Sequence, residues 1–133
     1  MQNKPSNAFI AASWTALFTG VISYNTGLWN ADMALSEKGY FFTVLMMGLF
    51  AVISLQKAVR DQLEGIPVTS IYYGISWFIT GLAILLLVIG LWNCTLQRSE
   101  KGFYGMAFTL SLFSAVAVQK NVRDSQQAKS ANS

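Results

Sequence analysis

The stretch "ISWFITGLAILLLVIGLWN", Ile75–Asn93, decides the fold. It carries no charged residue and is apolar around its whole circumference. A helix in a water-soluble bundle needs a polar face, and this one has none. Crossing a hydrocarbon core of about 30 Å takes about 20 mostly apolar residues. The uncharged run around this stretch, residues 65–97, exceeds that length.

Three further runs without charge occupy residues 5–31, 39–56 and 102–119. The first is long enough to span, and the shorter two just suffice. Only 11% of the 133 residues are charged, against roughly 25% in a typical soluble domain. The fold class is therefore all-α, an integral membrane four-helix bundle. Its first apolar run is expected to be retained and not cleaved as a signal: the basic region before it is only Lys4, no small-residue cleavage site follows, and the second half repeats the segment internally.

Shifted by 63 residues, the chain lies on itself without a gap. Ser13-Trp14 meets Ser76-Trp77, "GLWN" at 27–30 meets "GLWN" at 90–93, and "SEKG" at 36–39 meets "SEKG" at 99–102. "QKAVRD" at 56–61 meets "QKNVRD" at 119–124. Of the 49 positions in 13–61, 17 match their partners, none of them within 15–26 or 40–48. The identities gather at helix ends, while the apolar middles have drifted. Each repeat reads as a helical hairpin, and the unit is unlike the periods of soluble solenoids. The organisation expected is an N-terminal segment and start of the first span (1–12), a first repeat (13–63), a linker and start of the third span (64–75), a second repeat (76–124) and a disordered tail (125–133).

Two tandem hairpins put both termini on one side, as parallel repeats with an even number of spans each. That side holds Lys4, Lys57, Arg60, Lys120, Arg123 and Lys129, whereas the hairpin loops hold Lys38, Arg98 and Lys101. The bias of basic residues predicts cytoplasmic termini and outward loops. The net charge of +3 sits at helix ends, which points to anionic lipid surfaces and not to nucleic acid.

Trp29 and Trp92 end a span, where an indole favours the headgroup layer. Asn30 and Asn93 can close the helix in a left-handed conformation. A paired Trp/Asn ligand site is the functional alternative to this anchor-and-cap reading. Ser36 and Ser99 are suited to cap the return helix, with Glu37 and Glu100 in its first turn. Gly39 and Gly102 are expected to let a neighbouring helix approach. Lys38 and Lys101 either snorkel to lipid phosphate or pair with the other repeat's glutamate.

In the third motif, Lys57 and Asp61 share a helix face, as do Lys120 and Asp124. Arg60 and Arg123 join the lysines near the helix end, giving a lipid-facing basic collar or a partner-docking surface. Gly65 and Pro67 stop the second helix, and Thr69 or Ser70 can cap the third. The tail "SQQAKSANS" is small and polar, hence the disorder expected of it.

Inside the spans polarity is mild: Ser13, Thr15, Thr19, Ser23, Asn25 and Thr26 in the first, Ser111 and Ser114 in the fourth. Gly20, Gly48, Gly74, Gly81 and Gly105 add small residues for close helix approach. No ionisable residue falls at mid-membrane depth, which argues against a proton-coupled pump. With no histidine and one cysteine, Cys94, one chain can form neither a disulfide nor a Cys/His metal site. Asp32, Glu37 and Glu100 have no nucleophile or metal beside them to make an enzyme. No cofactor is implied.

The ordered set of "GLWN", "SEKG" with aromatic residues after it, "QK-x-VRD" and "EGIPVTSIYY" (64–73) resembles the YiaA/YiaB family of small bacterial inner-membrane proteins, over about residues 10–124. That family is defined by a two-helix domain. The resemblance implies a bacterial inner membrane and four spans, and it carries over no catalytic residue or substrate. Two functions remain open. One is a structural or interaction protein that self-associates or modulates a partner through its basic cytoplasmic ends, its partners being membrane lipids, a second copy of itself or another membrane protein. The alternative is a small oligomeric transporter or channel without proton coupling, lined by the Ser/Thr-rich first span.

Overall fold

The computed structural model describes residues 4–131. Four helices follow in order: α1 (Asn7–Asn30), α2 (Leu35–Leu63), α3 (Ser70–Asn93) and α4 (Arg98–Ala131). α3 begins and ends 63 residues after α1, and α4 begins 63 residues after α2. The helix starts therefore repeat with the sequence.

Three of these helices, α2, α3 and α4, are long and apolar enough to cross a membrane. α1 is 24 residues long and uncharged, but its serines, threonines and Asn25 dilute its hydropathy. It takes its place in the bundle by packing along α4.

The ends are closed by local chemistry. Ser6 caps α1 by accepting from the Phe9 N–H at 3.1 Å, and Thr69 caps α3 by accepting from the Tyr72 N–H at 3.2 Å. Gly65 adopts φ +76°, with its N–H donating to the Gln62 carbonyl and that of Ile66 to the Asp61 carbonyl. This paired arrangement with a left-handed glycine stops α2, as the sequence predicts. The expected disordered tail is replaced by helix. α4 runs on through Ala131, with Ala128 buried; residues 132–133 lie outside the described ones.

The hairpins are hairpins in connectivity only. α1 packs chiefly on α4 and α3 on α2; α2 and α4 meet at the centre, and α1 touches its own partner α2 lightly. Exchanging the repeats turns the α1–α4 interface into the α3–α2 interface and leaves α2–α4 on itself. The bundle therefore has the plan of a two-fold dimer written in one chain. On the α1–α4 interface, a Cβ added to Gly20 on α1 would lie 2.6 Å from the Ser111 Oγ and 2.9 Å from the Ser111 backbone nitrogen on α4. Only glycine permits that approach. At the centre, Gly48 on α2 seats Phe108 and Leu112 of α4.

Gly74, Gly81 and Gly105, expected to ease packing, face open space instead. The outer surface is rich in large apolar side chains. Phe50 and Phe113, the same position in the two repeats, are 74% and 71% exposed, as suits a lipid-facing site.

Candidate functional site

The motif residues assemble into two regions at opposite ends of the bundle. At the loop end, the glycine of each "GLWN" receives the aromatic pair that follows "SEKG" in the other repeat. A Cβ on Gly27 would meet Phe103 at 2.8 Å and Tyr104 at 3.3 Å, and one on Gly90 would meet Tyr40 at 2.6 Å and Phe41 at 3.0 Å. Tyr40 and Phe41 occupy the positions of Phe103 and Tyr104, 63 residues apart. The rings then pack on one another: Tyr24 meets Tyr104 edge-on at 5.6 Å, and Phe41 stacks on Tyr104 at 6.2 Å. The Tyr24 hydroxyl donates to the Phe41 carbonyl at 2.7 Å, and the Tyr40 hydroxyl to that of Leu86.

Each glycine–aromatic contact forms the floor of a cavity. One, of about 440 Å³, is walled by Gly90, Asn93 and Cys94 from the end of α3 and by Ser36, Glu37, Tyr40 and Phe41 from the start of α2. The other, of about 300 Å³, is walled by Gly27, Asn30 and Ala31 on one side and by Ser99, Glu100, Phe103 and Tyr104 on the other. Seven repeat positions are shared, differing in Cys94 for Ala31 and in the order of the aromatic pair, and Ile89 adds an eighth residue to the first cavity alone. Sequence reasoning noted the shared Asn, Ser and Glu and the aromatic residues after "SEKG", but gave that pair, Tyr-Phe in one repeat and Phe-Tyr in the other, no place in a site.

Several motif residues act differently from expectation. Neither asparagine adopts a positive φ. Instead the Asn30 amide nitrogen donates to the Thr26 carbonyl at 2.9 Å and that of Asn93 to the Ile89 carbonyl at 2.8 Å, each tying down a carbonyl of its own last turn. Ser36 lies inside α2: Ala34 is the capping residue, and its N–H donates to the Glu37 carboxylate at 3.4 Å. Ser99 likewise falls inside α4, which opens at Arg98.

A Cβ added to Gly39 or to Gly102 would meet nothing within 4 Å, so neither glycine eases the approach of a neighbouring helix. Lys38 does not reach Glu100; its ammonium donates to the Trp29 carbonyl at 3.0 Å. Among the described residues, the ion pairs involve neither Lys38 nor Lys101. Trp29 and Trp92 are each 82% exposed, outside both cavities. Trp29, Lys38 and Gly39 border a separate apolar groove of about 760 Å³ between α1 and α2.

At the terminus end, the "QK-x-VRD" motifs form a reciprocal ion-pair network where a lipid-facing collar was expected. Arg60 on α2 binds Asp124 on α4, and Arg123 on α4 binds Asp61 on α2. Each aspartate also holds the lysine one turn before it, Lys57 to Asp61 at 2.8 Å and Lys120 to Asp124 at 2.7 Å. Arg123 reaches Glu64 at 3.0 Å, while Arg60 holds Glu64 at 2.7 Å and Gln127, the repeat partner of Glu64, at 3.2 Å. The aspartates are buried and the arginine side chains only 16% exposed; the lysines remain half exposed. Arginine forks satisfy two acceptors at once, which suits them to this place.

Beneath the network, the Asn121 amide nitrogen donates to the Ser13 Oγ at 3.0 Å. Its repeat counterpart is Ala58, so this bond exists on one side only.

A bundle of apolar helices, written twice and closed by motifs at both ends, defines a multi-pass membrane protein built from a duplicated two-helix unit. The chain belongs to the yiaA/B two-helix-domain family, whose domain matches residues 9–61 and again residues 72–124. It is 58% identical over 127 residues to the inner membrane protein YiaA of Escherichia coli (strain K12), covering 93% of this chain and 88% of that one. It is 33% identical over 95 residues to the inner membrane protein YiaB of the same organism, covering 71% of this chain and 80% of that one. The uncharacterized membrane protein YubF of Bacillus subtilis (strain 168) is 38% identical over 58 residues, covering 43% of this chain and 67% of that one. No solved structure matches the chain.

Proposed function

We propose that the protein is a non-enzymatic interaction protein of the bacterial inner membrane, with cytoplasmic termini and its working surface at the loop end. The observation that carries this reading is the pair of equivalent loop-end cavities, each built from both repeats. The ion-paired end serves as the clamp that fixes the two repeats, and hence the cavities, in register. The partners in view are membrane lipids and a second copy or another membrane protein.

The transport reading has less support, because four of the polar groups of the spans donate within their own helices. Ser13 donates to the Phe9 carbonyl, Asn25 to Val21, Ser111 to Ala107 and Ser114 to Leu110, all within their own helices. A conducting path displays its polar groups to the lumen.

Purified protein in liposomes is expected to give no solute or ion flux above empty vesicles. Crosslinking in native membranes is expected to return adducts beyond the monomer. Flux, or monomer alone, would overturn the reading.

A further inference from the structure

The chemistry of the two cavities is one-sided. Each contains one carboxylate, Glu37 or Glu100, and among the described residues no basic side chain lines either. The asparagine amide nitrogens are committed to carbonyls of their own helices, which leaves the amide oxygens with unspent accepting capacity. The serine hydroxyls can accept as well as donate.

Lys38, the nearest cation in sequence to Glu37, is drawn off to the Trp29 carbonyl. An anion is disfavoured at the first of these helix starts, where the Glu37 carboxylate already takes the Ala34 N–H. What remains is a set of acceptors and a negative charge beside aromatic rings, Tyr40 and Phe41 in one cavity and Phe103 and Tyr104 in the other. A carboxylate with an aromatic face is the surface that recognises an organic cation.

We infer that the two loop-end cavities are equivalent binding sites for a primary ammonium group, held by one glutamate carboxylate and the asparagine and serine oxygens, with its carbon substituent against the aromatic pair. The inference rests on the reading of the loop end as the working surface. An ammonium supplies three donors and one positive charge, matching the three acceptor types in each wall. Volumes of about 440 and 300 Å³ suit a small headgroup or amine, the smaller lying at the lower limit for ligand pockets. The exposed Trp29 and Trp92 beside them place the cavities at headgroup depth, where the ammonium can come from a phospholipid headgroup or from a free amine in solution.

Cys94 lines one cavity and Ala31 its counterpart, which gives each site its own reporter. Full-length protein in phosphatidylglycerol nanodiscs is alkylated by a neutral maleimide. The same measurement is made with phosphatidylethanolamine in the disc, and separately with ethylamine in the buffer. Labelling of Cys94 slows about tenfold when the ammonium is present at about ten times its dissociation constant, the occupied site being closed to the reagent.

Glu37→Gln abolishes this protection but not that of Ala31→Cys in a Cys94→Ala background; Glu100→Gln does the reverse. That crossed pattern cannot arise from a fold-wide defect. Protection by phosphatidylethanolamine alone identifies a lipid source, and protection by ethylamine as well identifies a free amine. No protection by either, or protection that survives both glutamine variants, overturns the inference. The outcome is read on the isolated protein, so it stands or falls separately from the flux and crosslinking results.

Discussion

The Arg60 guanidinium on α2 holds the Asp124 carboxylate on α4, and Arg123 on α4 holds Asp61 on α2. Each motif supplies the cation for the other's anion, which gives a reason for "VRD" standing in both repeats. Removing one partner leaves the other with only part of its compensation, because Asp124 keeps Lys120 and Arg60 keeps Glu64, at a cost of about 1–3 kcal/mol. Asp124→Ala and Arg60→Ala are therefore expected to lower stability in detergent by about that amount each, while the double variant loses much less than the sum. A double-mutant cycle on thermal unfolding reads the coupling; strict additivity would show that the two groups do not interact.

The two kinds of glycine in the motifs should respond oppositely to alanine. At Gly90 the new methyl meets the Tyr40 and Phe41 rings, and overpacking of this sort costs about 1–3 kcal/mol. At Gly102 nothing lies within 4 Å, so the gain in helix propensity, up to about 1 kcal/mol, is free to appear. Thermal unfolding of Gly90→Ala and Gly102→Ala is expected to shift down and up respectively. Equal shifts would contradict the packing described.

The helix ends at the linker are legible in the sequence because their signals are local, whereas the asparagine and serine caps expected at the loop end are not formed. Gly65 before Pro67, and Thr69 before an apolar run, close and open helices by chemistry contained within a few residues. Which helix packs on which is not legible. "ISWFITGLAILLLVIGLWN" is apolar on every side, so it designates no buried face, and a short loop makes neighbours of α1 and α2 by default. One signal is present. Adjacent Arg60 and Asp61 cannot satisfy each other along a helix, and a motif that carries both charges twice calls for reciprocal pairing across the repeats. The loop-end site is half legible: Asn, Ser and Glu stand out by identity, whereas the aromatic floor is hidden by the Tyr/Phe exchange. Gly27 and Gly39 both sit in repeated motifs, and only the fold tells that Gly27 is the one facing a neighbour.

Acid should loosen the terminus end. Asp61 and Asp124 lie past the uncharged stretches of their helices, and both are held below the ordinary carboxylate value of 3.8. Hydrogen bonds from Lys57 and Arg123 lower Asp61. For Asp124 burial pulls upward, and the bonds from Lys120 and Arg60 outweigh it. A lowered folded-state value means stability fully present above the unfolded value and lost as pH falls through the lowered one. Unfolding temperature in detergent is expected to be flat with respect to these groups above pH 3.8 and to fall below it. Asp61→Asn combined with Asp124→Asn should flatten that fall; an unchanged acid limb would assign it to other groups.

Cys94 tests the orientation. It is partly exposed at the loop end, and the basic bias of the other end predicts that the loops face outside. A membrane-impermeant thiol reagent added to spheroplasts is expected to label it without permeabilisation. Labelling only after the membrane is opened would invert the topology.

The cross-repeat packing has a consequence for assembly. Because α1 rests mainly on α4 and α3 on α2, neither repeat contains its own main interface. The first repeat leaves Gly20, Gly48 and its Arg60-Asp61 pair facing groups it does not supply, and the second leaves Gly90 and its Arg123-Asp124 pair in the same position. Cutting the chain between Pro67 and Val68, in the linker before α3, leaves the Ile66–Asp61 closure of α2 intact and removes only the connection. The two halves expressed together are expected to co-purify as a 1:1 complex that keeps the Arg60–Asp124 pairing, and Asp124→Ala should weaken that complex. Halves that purify as separate monomers would mean that the hairpins, and not the crossed pairs, are the folding units.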